Sequence, residues 1–122
     1  MTVYFQEVHI MEKMTQSTIY VGMNDSETHM QKFDTERYLK ILKNICYNYH
    51  VAFSVNQITG GYFHEDGTYV EENSLALTLI GIEKEIVQEI AKDLCAFFHQ
   101  ESVMAVYEHS DVEFISEQID LT

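Results

Sequence analysis

The chain has 122 residues, of which 46% are hydrophobic and 22% charged, and its formal net charge is −13 at pH 7. This length fits one domain around one hydrophobic core, and no apolar run reaches the roughly 20 residues of a membrane-spanning helix. The excess of acids repels nucleic acid and anionic membrane surfaces, so we expect a cytoplasmic protein that binds neither directly.

The charge is unevenly distributed along the chain. Residues 1–59 carry six acidic and five basic residues, whereas residues 60–122 carry 14 acidic residues and only two basic ones, for a net charge of −12. Such a field would attract a basic protein surface and speed its encounter with this chain.

The first half of the chain predicts a strand followed by a helix. Residues 1–16 alternate only partly and are interpreted as an N-terminal arm or an edge strand. Residues 17–23 alternate apolar and polar side chains, which predicts a half-buried strand, and residues 24–33 are a polar loop. Asp34 is placed to cap a helix. The apolar stripe of that helix comprises Tyr38, Ile41, Leu42, Ile45, Cys46 and Tyr49.

A hairpin follows this helix. Residues 51–58 alternate as a second strand, and residues 75–82 form an apolar run that predicts a buried third strand. Between them, Glu65-Asp66-Gly67 is a reverse-turn signal, because glycine takes up positive φ without steric cost.

The last part of the chain predicts a second helix and a closing strand. Residues 83–100 carry a broad apolar stripe at helical spacing. Residues 102–107 and 112–115 predict one final strand, or two short ones broken at Glu108–Asp111. Residues 116–122 are expected to be an exposed acidic tail.

This order of elements predicts an α+β protein with the ferredoxin-like split βαβ fold (βαββαβ) over residues 17–115. In that fold two helices cover one face of an antiparallel sheet. The other face needs solvent, a loop or a partner, so we expect a homodimer.

Three short stretches together resemble a known family. They are the strand residues 18–23, the segment from Gly67 to Ser74 with Glu72-Asn73-Ser74, and residues 100–103. In these the chain resembles the domain of unknown function 3574 family and related small hypothetical proteins of Gram-positive bacteria and mobile elements. The resemblance implies a ferredoxin-like domain and no particular activity.

Recognised catalytic and metal motifs are absent from the sequence. The six histidines and two cysteines do not have the paired spacings of metal sites, and Gly60-Gly61 does not lead into a phosphate-binding helix. Glu71, Glu72 and Glu101 could supply an acid–base pair, but the abundance of acids makes any choice among them arbitrary. We therefore predict no catalytic residue, metal or cofactor.

The hairpin instead predicts a partner-binding surface, in which aromatic rings supply buried area and acids steer the encounter. The residues assigned to it are Tyr62, Phe63, His64, Glu65, Asp66, Tyr69, Glu71 and Glu72. The alternative is that these rings pack within the protein or against a dimer mate.

Three functional hypotheses follow. The first is a small, acidic, non-enzymatic binding or inhibitor protein that engages a basic partner surface, such as a nucleic-acid-binding protein. It would act as a nucleic-acid mimic or as an anti-defence protein of a mobile element. The second is a ferredoxin-like module that binds or senses a small molecule, and the third is a dimeric ferredoxin-like enzyme.

Overall fold

The computed structural model describes the backbone of residues 3–121 and the side chains of residues 11–117. The secondary-structure elements are β1 (Val3–Gly22), α1 (Thr35–Asn48), β2 (Ser54–Phe63), β3 (Tyr69–Ile80), α2 (Lys84–Phe97) and β4 (Met104–Leu121). The four strands form one antiparallel sheet in the order β2-β3-β1-β4. This arrangement confirms the predicted ferredoxin-like βαββαβ fold. Neither helix in the described residues has the length and apolar character that a membrane crossing requires.

The core lies between the helices and one face of the sheet. Ile19 and Val21 of β1 pair with Leu77 and Leu75 of β3, and all four side chains are fully buried. The helices contribute residues at three- and four-residue spacing to the same core. These helical residues are Tyr38, Leu39, Leu42, Ile45 and Cys46 of α1, and Val87, Ile90, Ala91 and Leu94 of α2.

The ends of α1 follow local backbone chemistry. The carboxylate of Asp34 accepts a hydrogen bond of 3.0 Å from the Arg37 N–H, as the predicted cap requires. At the other end, the Val51 N–H donates to the Cys46 carbonyl, and His50 has a φ of 54°. This helix-ending motif uses the N–H of Val51, so β2 begins at Ser54 and not at residue 51 as predicted.

The hairpin that joins β2 and β3 is longer than predicted. The two strands pair from Ser54 opposite Thr78 to Phe63 opposite Tyr69. The turn between them has Gly67 at a φ of 87°, which confirms the expected role of that glycine.

The pairing of β1 with β4 differs most from the sequence prediction. It runs from Val3 opposite Leu121 to Tyr20 opposite Met104, whereas β3 accompanies β1 only over residues 16–22. Residues 3–15 and 109–121 therefore form a two-stranded ribbon beyond β3. Of the two alternatives for the last segment, β4 is the single strand, without a break at residues 108–111. Residues 3–16, interpreted as an arm or an edge strand, belong to β1, and most of the expected tail (residues 116–122) belongs to β4.

The sequence predicts this ribbon only in part. Residues 1–16 alternate incompletely and Glu108–Asp111 is a polar run, so the strand pattern is interrupted. Lys13 faces Asp111 across the two strands at 3.6 Å. Residues 1, 2 and 122, which belong to the predicted arm and tail, lie outside the described residues.

Candidate functional site

A polar cavity of about 380 Å³ opens where β1 leaves the sheet. Three segments wall it: the loop after β1, the β2–β3 hairpin and the connection from α2 to β4. The lining residues are Asn24, Asp25, Ser26, His29, Tyr62, His64, Glu72, Gln100, Glu101 and Ser102. Its volume lies within the range of about 300–1,000 Å³ that small-molecule sites occupy.

Hydrogen bonds join the three walls. The Asn24 N–H donates to Oε2 of Glu72 at 3.1 Å, which ties the loop after β1 to β3. The Gln100 side-chain amide donates to the Asn24 carbonyl at 2.6 Å and to the Phe98 carbonyl at 3.2 Å. The backbone of Asn24 is thus held by Glu72 through its N–H and by Gln100 through its carbonyl.

The loop after β1 is built around Asp25, which is only 6% exposed. Its carboxylate accepts the N–H groups of Glu27 at 2.8 Å and Thr28 at 3.3 Å, and Nδ1 of His99 lies 3.4 Å from it. The Glu27 hydrogen bond is the largest influence on this group. Together with the Thr28 N–H and the nearby charge of His99, it lowers the pKa of Asp25 despite the opposing effect of burial. The loop therefore has a charged, hydrogen-bonded centre.

Tyr62 lies close enough to Glu72 and Glu101 for both carboxylates to affect the pKa of its phenol. Burial, followed by the negative charges of Glu72 and Glu101, raises the pKa of Tyr62 above its ordinary value of 10. The Tyr62 ring meets the ring of His64 edge-on at 5.3 Å, and His64 in turn meets His29 at 5.7 Å.

These groups give the cavity a defined chemical character. Three carboxylates, those of Asp25, Glu72 and Glu101, line the cavity together with the rings of His29, Tyr62 and His64, and no lysine or arginine lines it. Such a site favours a cationic ligand with an aromatic or heterocyclic part, because the carboxylates attract charge and the rings offer edges and faces for contact. Within the described residues, no group of three His, Cys, Asp or Glu side chains is arranged to hold a metal ion.

The eight residues assigned to a binding surface divide between two faces of the hairpin, since successive side chains of a strand point to opposite sides. Tyr62, His64 and Glu72 line the cavity. Phe63 and Tyr69 lie away from it, with their rings 5.2 Å apart and Phe63 72% exposed.

The other three residues of that set also lie outside the cavity. Glu71 accepts a hydrogen bond of 3.1 Å from the Tyr69 hydroxyl. Asp66, beside Glu65 in the turn, accepts the Thr68 N–H at 2.9 Å. Whether any of these residues binds a partner stays a prediction.

Sequence reasoning missed most of the cavity wall. The sequence predicts Asn24 and Asp25 only as loop residues and Gln100 only as a helix-end residue, and it offers Glu101 only as one of three acids among which an acid–base pair would be an arbitrary choice. Gln100 reaches Asn24 over a separation of 76 residues, which only the folded sheet brings together. The available signal was the Asn24-Asp25-Ser26 run, whose side chains commonly bond to their own backbone.

Comparison with known proteins shows a similarity of fold. No protein-family model matches it, and no curated protein does. Among solved structures it resembles a phage SAM lyase in complex with S-methyl-5'-thioadenosine, with 24% identity and a TM-score of 0.63 over 84% of this chain and 90% of the lyase. The same lyase in its apo state gives the same identity and TM-score over 85% and 90%. The chain also resembles CutA from Synechococcus elongatus, with 12% identity and a TM-score of 0.58 over 88% and 85%. At these identities the likeness concerns the fold, which is ferredoxin-like in this chain as well.

Proposed function

We propose that the chain binds S-adenosylmethionine in the polar cavity and cleaves it to S-methyl-5'-thioadenosine. The observation that carries this proposal is that Glu72 and Glu101 line one cavity of nucleoside size together with the rings of Tyr62 and His64. The likeness to a phage SAM lyase supports it.

The negative charge of the cavity is complementary to the positive charges of this substrate. S-adenosylmethionine carries a sulfonium and an ammonium cation, and a cationic ligand gains from the carboxylates of Asp25, Glu72 and Glu101, among which no lysine or arginine lies. The net charge of −13 adds a favourable long-range field. The rings of Tyr62 and His64 are suited to contact the adenine.

The proposed cleavage balances without water or any second reagent. The bond between the sulfur and Cγ of the amino-acid part breaks, and its electron pair passes to sulfur, which becomes the neutral thioether. The substrate's own carboxylate oxygen gives a pair to Cγ and closes a five-membered lactone. The protein's part is to hold the two cationic centres and to favour the folded conformation in which this oxygen reaches Cγ.

Calorimetric titration with S-adenosylmethionine tests the binding step. We expect Glu72→Gln to weaken binding by about 10- to 100-fold, the usual effect of losing one charge-assisted contact. The matched control is Glu71→Gln, which changes the same charge on the neighbouring residue outside the cavity and should alter affinity less than about twofold. Equal losses in both variants, or no binding by the wild-type protein, would contradict the proposal.

A second candidate function is the engagement of a basic protein surface, and the exposed rings of Phe63 and Tyr69 favour it. They lie on the face of the hairpin away from the cavity, beside Glu71. Exposed aromatic rings surrounded by acids are typical of protein-binding surfaces. An inhibitor or nucleic-acid mimic would use this face.

The two candidate functions can be distinguished by their responses to single substitutions and to ionic strength. A lysine-rich peptide serves as the probe for the second, and its affinity should fall steeply as ionic strength rises. Phe63→Ser should weaken that binding and leave S-adenosylmethionine binding unchanged, whereas Glu72→Gln should do the reverse. Peptide affinity that is indifferent to salt would remove the second candidate.

A further inference from the structure

Gly22, the last residue of β1, lies beneath the Glu72 carboxylate. A Cβ atom built on Gly22 would stand 2.5 Å from Oε2 of Glu72 and 2.6 Å from its Cδ and Oε1. Carbon and oxygen atoms that are not bonded lie more than 3 Å apart, so the carboxylate fills the space that any other residue would need for its side chain.

The pairing of the strands explains this close approach. Gly22 is opposite Ser74, and Glu72 comes two residues before Ser74 on the same face of β3. Diagonal neighbours of this kind reach each other when one side chain is long. The Glu72 side chain crosses the end of β1 and accepts the Asn24 N–H at 3.1 Å.

We propose that Gly22 is a positioning residue, which allows the Glu72 carboxylate to lie across β1 and to be held there by the Asn24 N–H. The consequence for ligand binding rests on the function proposed above. The positioning itself does not, since it concerns only contacts within the chain.

Gly22→Ala should displace the carboxylate without unfolding the protein. Gly22 is not among the residues of positive φ, so its backbone accepts alanine. The nearest atoms to the added methyl group belong to the far end of a flexible side chain, which can swing away. The variant thus moves one negative charge within the cavity and leaves the net charge unchanged.

The placement is tested by nuclear magnetic resonance on the unliganded protein. In the wild type, the hydrogen bond to the Glu72 carboxylate should move the Asn24 amide proton downfield, and this response should be lost in Glu72→Gln. It should be lost in Gly22→Ala too. Gly60→Ala is the matched control, because its Cβ would meet only the Ser74 hydroxyl at 3.3 Å and the Glu72 carbonyl at 4.0 Å. An Asn24 amide proton with the same shift in Gly22→Ala as in the wild type would overturn the proposal.

The functional consequence is tested by titration with S-adenosylmethionine. Gly22→Ala should weaken binding about as much as Glu72→Gln, by about 10- to 100-fold, and the double variant should lose no more than either single one. Full additivity of the two losses would overturn the proposal. A wild type that does not bind the ligand, together with a lost Asn24 response in Gly22→Ala, would refute the proposed function and leave the positioning role supported.

If Gly22→Ala does not fold, stability provides the second measurement. The three atoms nearest to the added methyl group all belong to the Glu72 side chain, so Gly22→Ala combined with Glu72→Ala should restore folding. A double variant that stays unfolded would overturn the proposal.

Discussion

At the scale of single residues, Ser17 has a buried hydroxyl group that lacks a hydrogen-bond partner among the described residues. Its side chain is fully buried in β1 between β3 and β4. A buried hydroxyl without a partner costs about 1–3 kcal/mol. We expect Ser17→Ala to raise the free energy of unfolding by up to about 1 kcal/mol in a urea titration. A loss of more than about 1 kcal/mol would indicate that the hydroxyl is bonded in solution.

A second prediction at this scale concerns how Asp25 affects the stability of the protein at low pH. Its carboxyl has a pKa below the ordinary 3.8, chiefly because of the Glu27 N–H. A lowered folded-state pKa gives stability that is fully present above 3.8 and is lost as the pH falls through the folded value. The stability advantage of the wild type over Asp25→Asn should therefore be constant at neutral pH and shrink in acid. An advantage that grows on acidification would contradict this reading.

At the scale of elements, both helices end with a histidine in the left-handed region. His50 and His99 have φ values of 54° and 52°, where glycine is the usual residue. His50→Gly should raise the free energy of unfolding by about 0.5–1 kcal/mol, because it relieves this strain. His99→Gly should gain less, since Nδ1 of His99 lies 3.4 Å from Asp25. Equal changes in thermal unfolding for the two variants would argue against the contact with Asp25.

The elements also show how far the sequence predicts the fold. Local signals were sufficient where chemistry is local, as at the Asp34 cap and at Gly67 in the turn. The β1–β4 ribbon was predicted only in part, because residues 1–16 alternate incompletely and Glu108–Asp111 is a polar run. The site required the tertiary fold, since Gln100 and Asn24 meet only after folding. The resemblance to the domain of unknown function 3574 family stays a prediction.

At the scale of the whole molecule, the sheet face opposite the helices remains uncovered in the single chain. Phe53, Ile80 and Phe114 on this face are 37%, 46% and 52% exposed, and they border an open cavity of about 420 Å³ together with Met14 and Val112. A contiguous apolar area of this kind is typical of association surfaces. It supports the expectation of a homodimer.

Self-association through that face is tested with Phe114→Asp. The added charge would be buried in any interface there, so the variant should elute as a monomer in size-exclusion chromatography with light scattering. Phe63→Ser, which removes a more exposed ring on the hairpin (72% against 52% for Phe114), serves as the control and should leave the mass unchanged. A wild type that is monomeric at high concentration would contradict the expected homodimer.

The proposed cleavage of S-adenosylmethionine by this protein, with the substrate bound in the polar cavity, is tested most directly by product analysis. The purified protein is incubated with S-adenosylmethionine, and S-methyl-5'-thioadenosine is quantified over time by chromatography and mass spectrometry. We predict steady accumulation with the wild type and with Glu71→Gln, and a rate lower by about 10- to 100-fold with Glu72→Gln. Unchanged S-adenosylmethionine in the presence of the folded wild-type protein would contradict the claim.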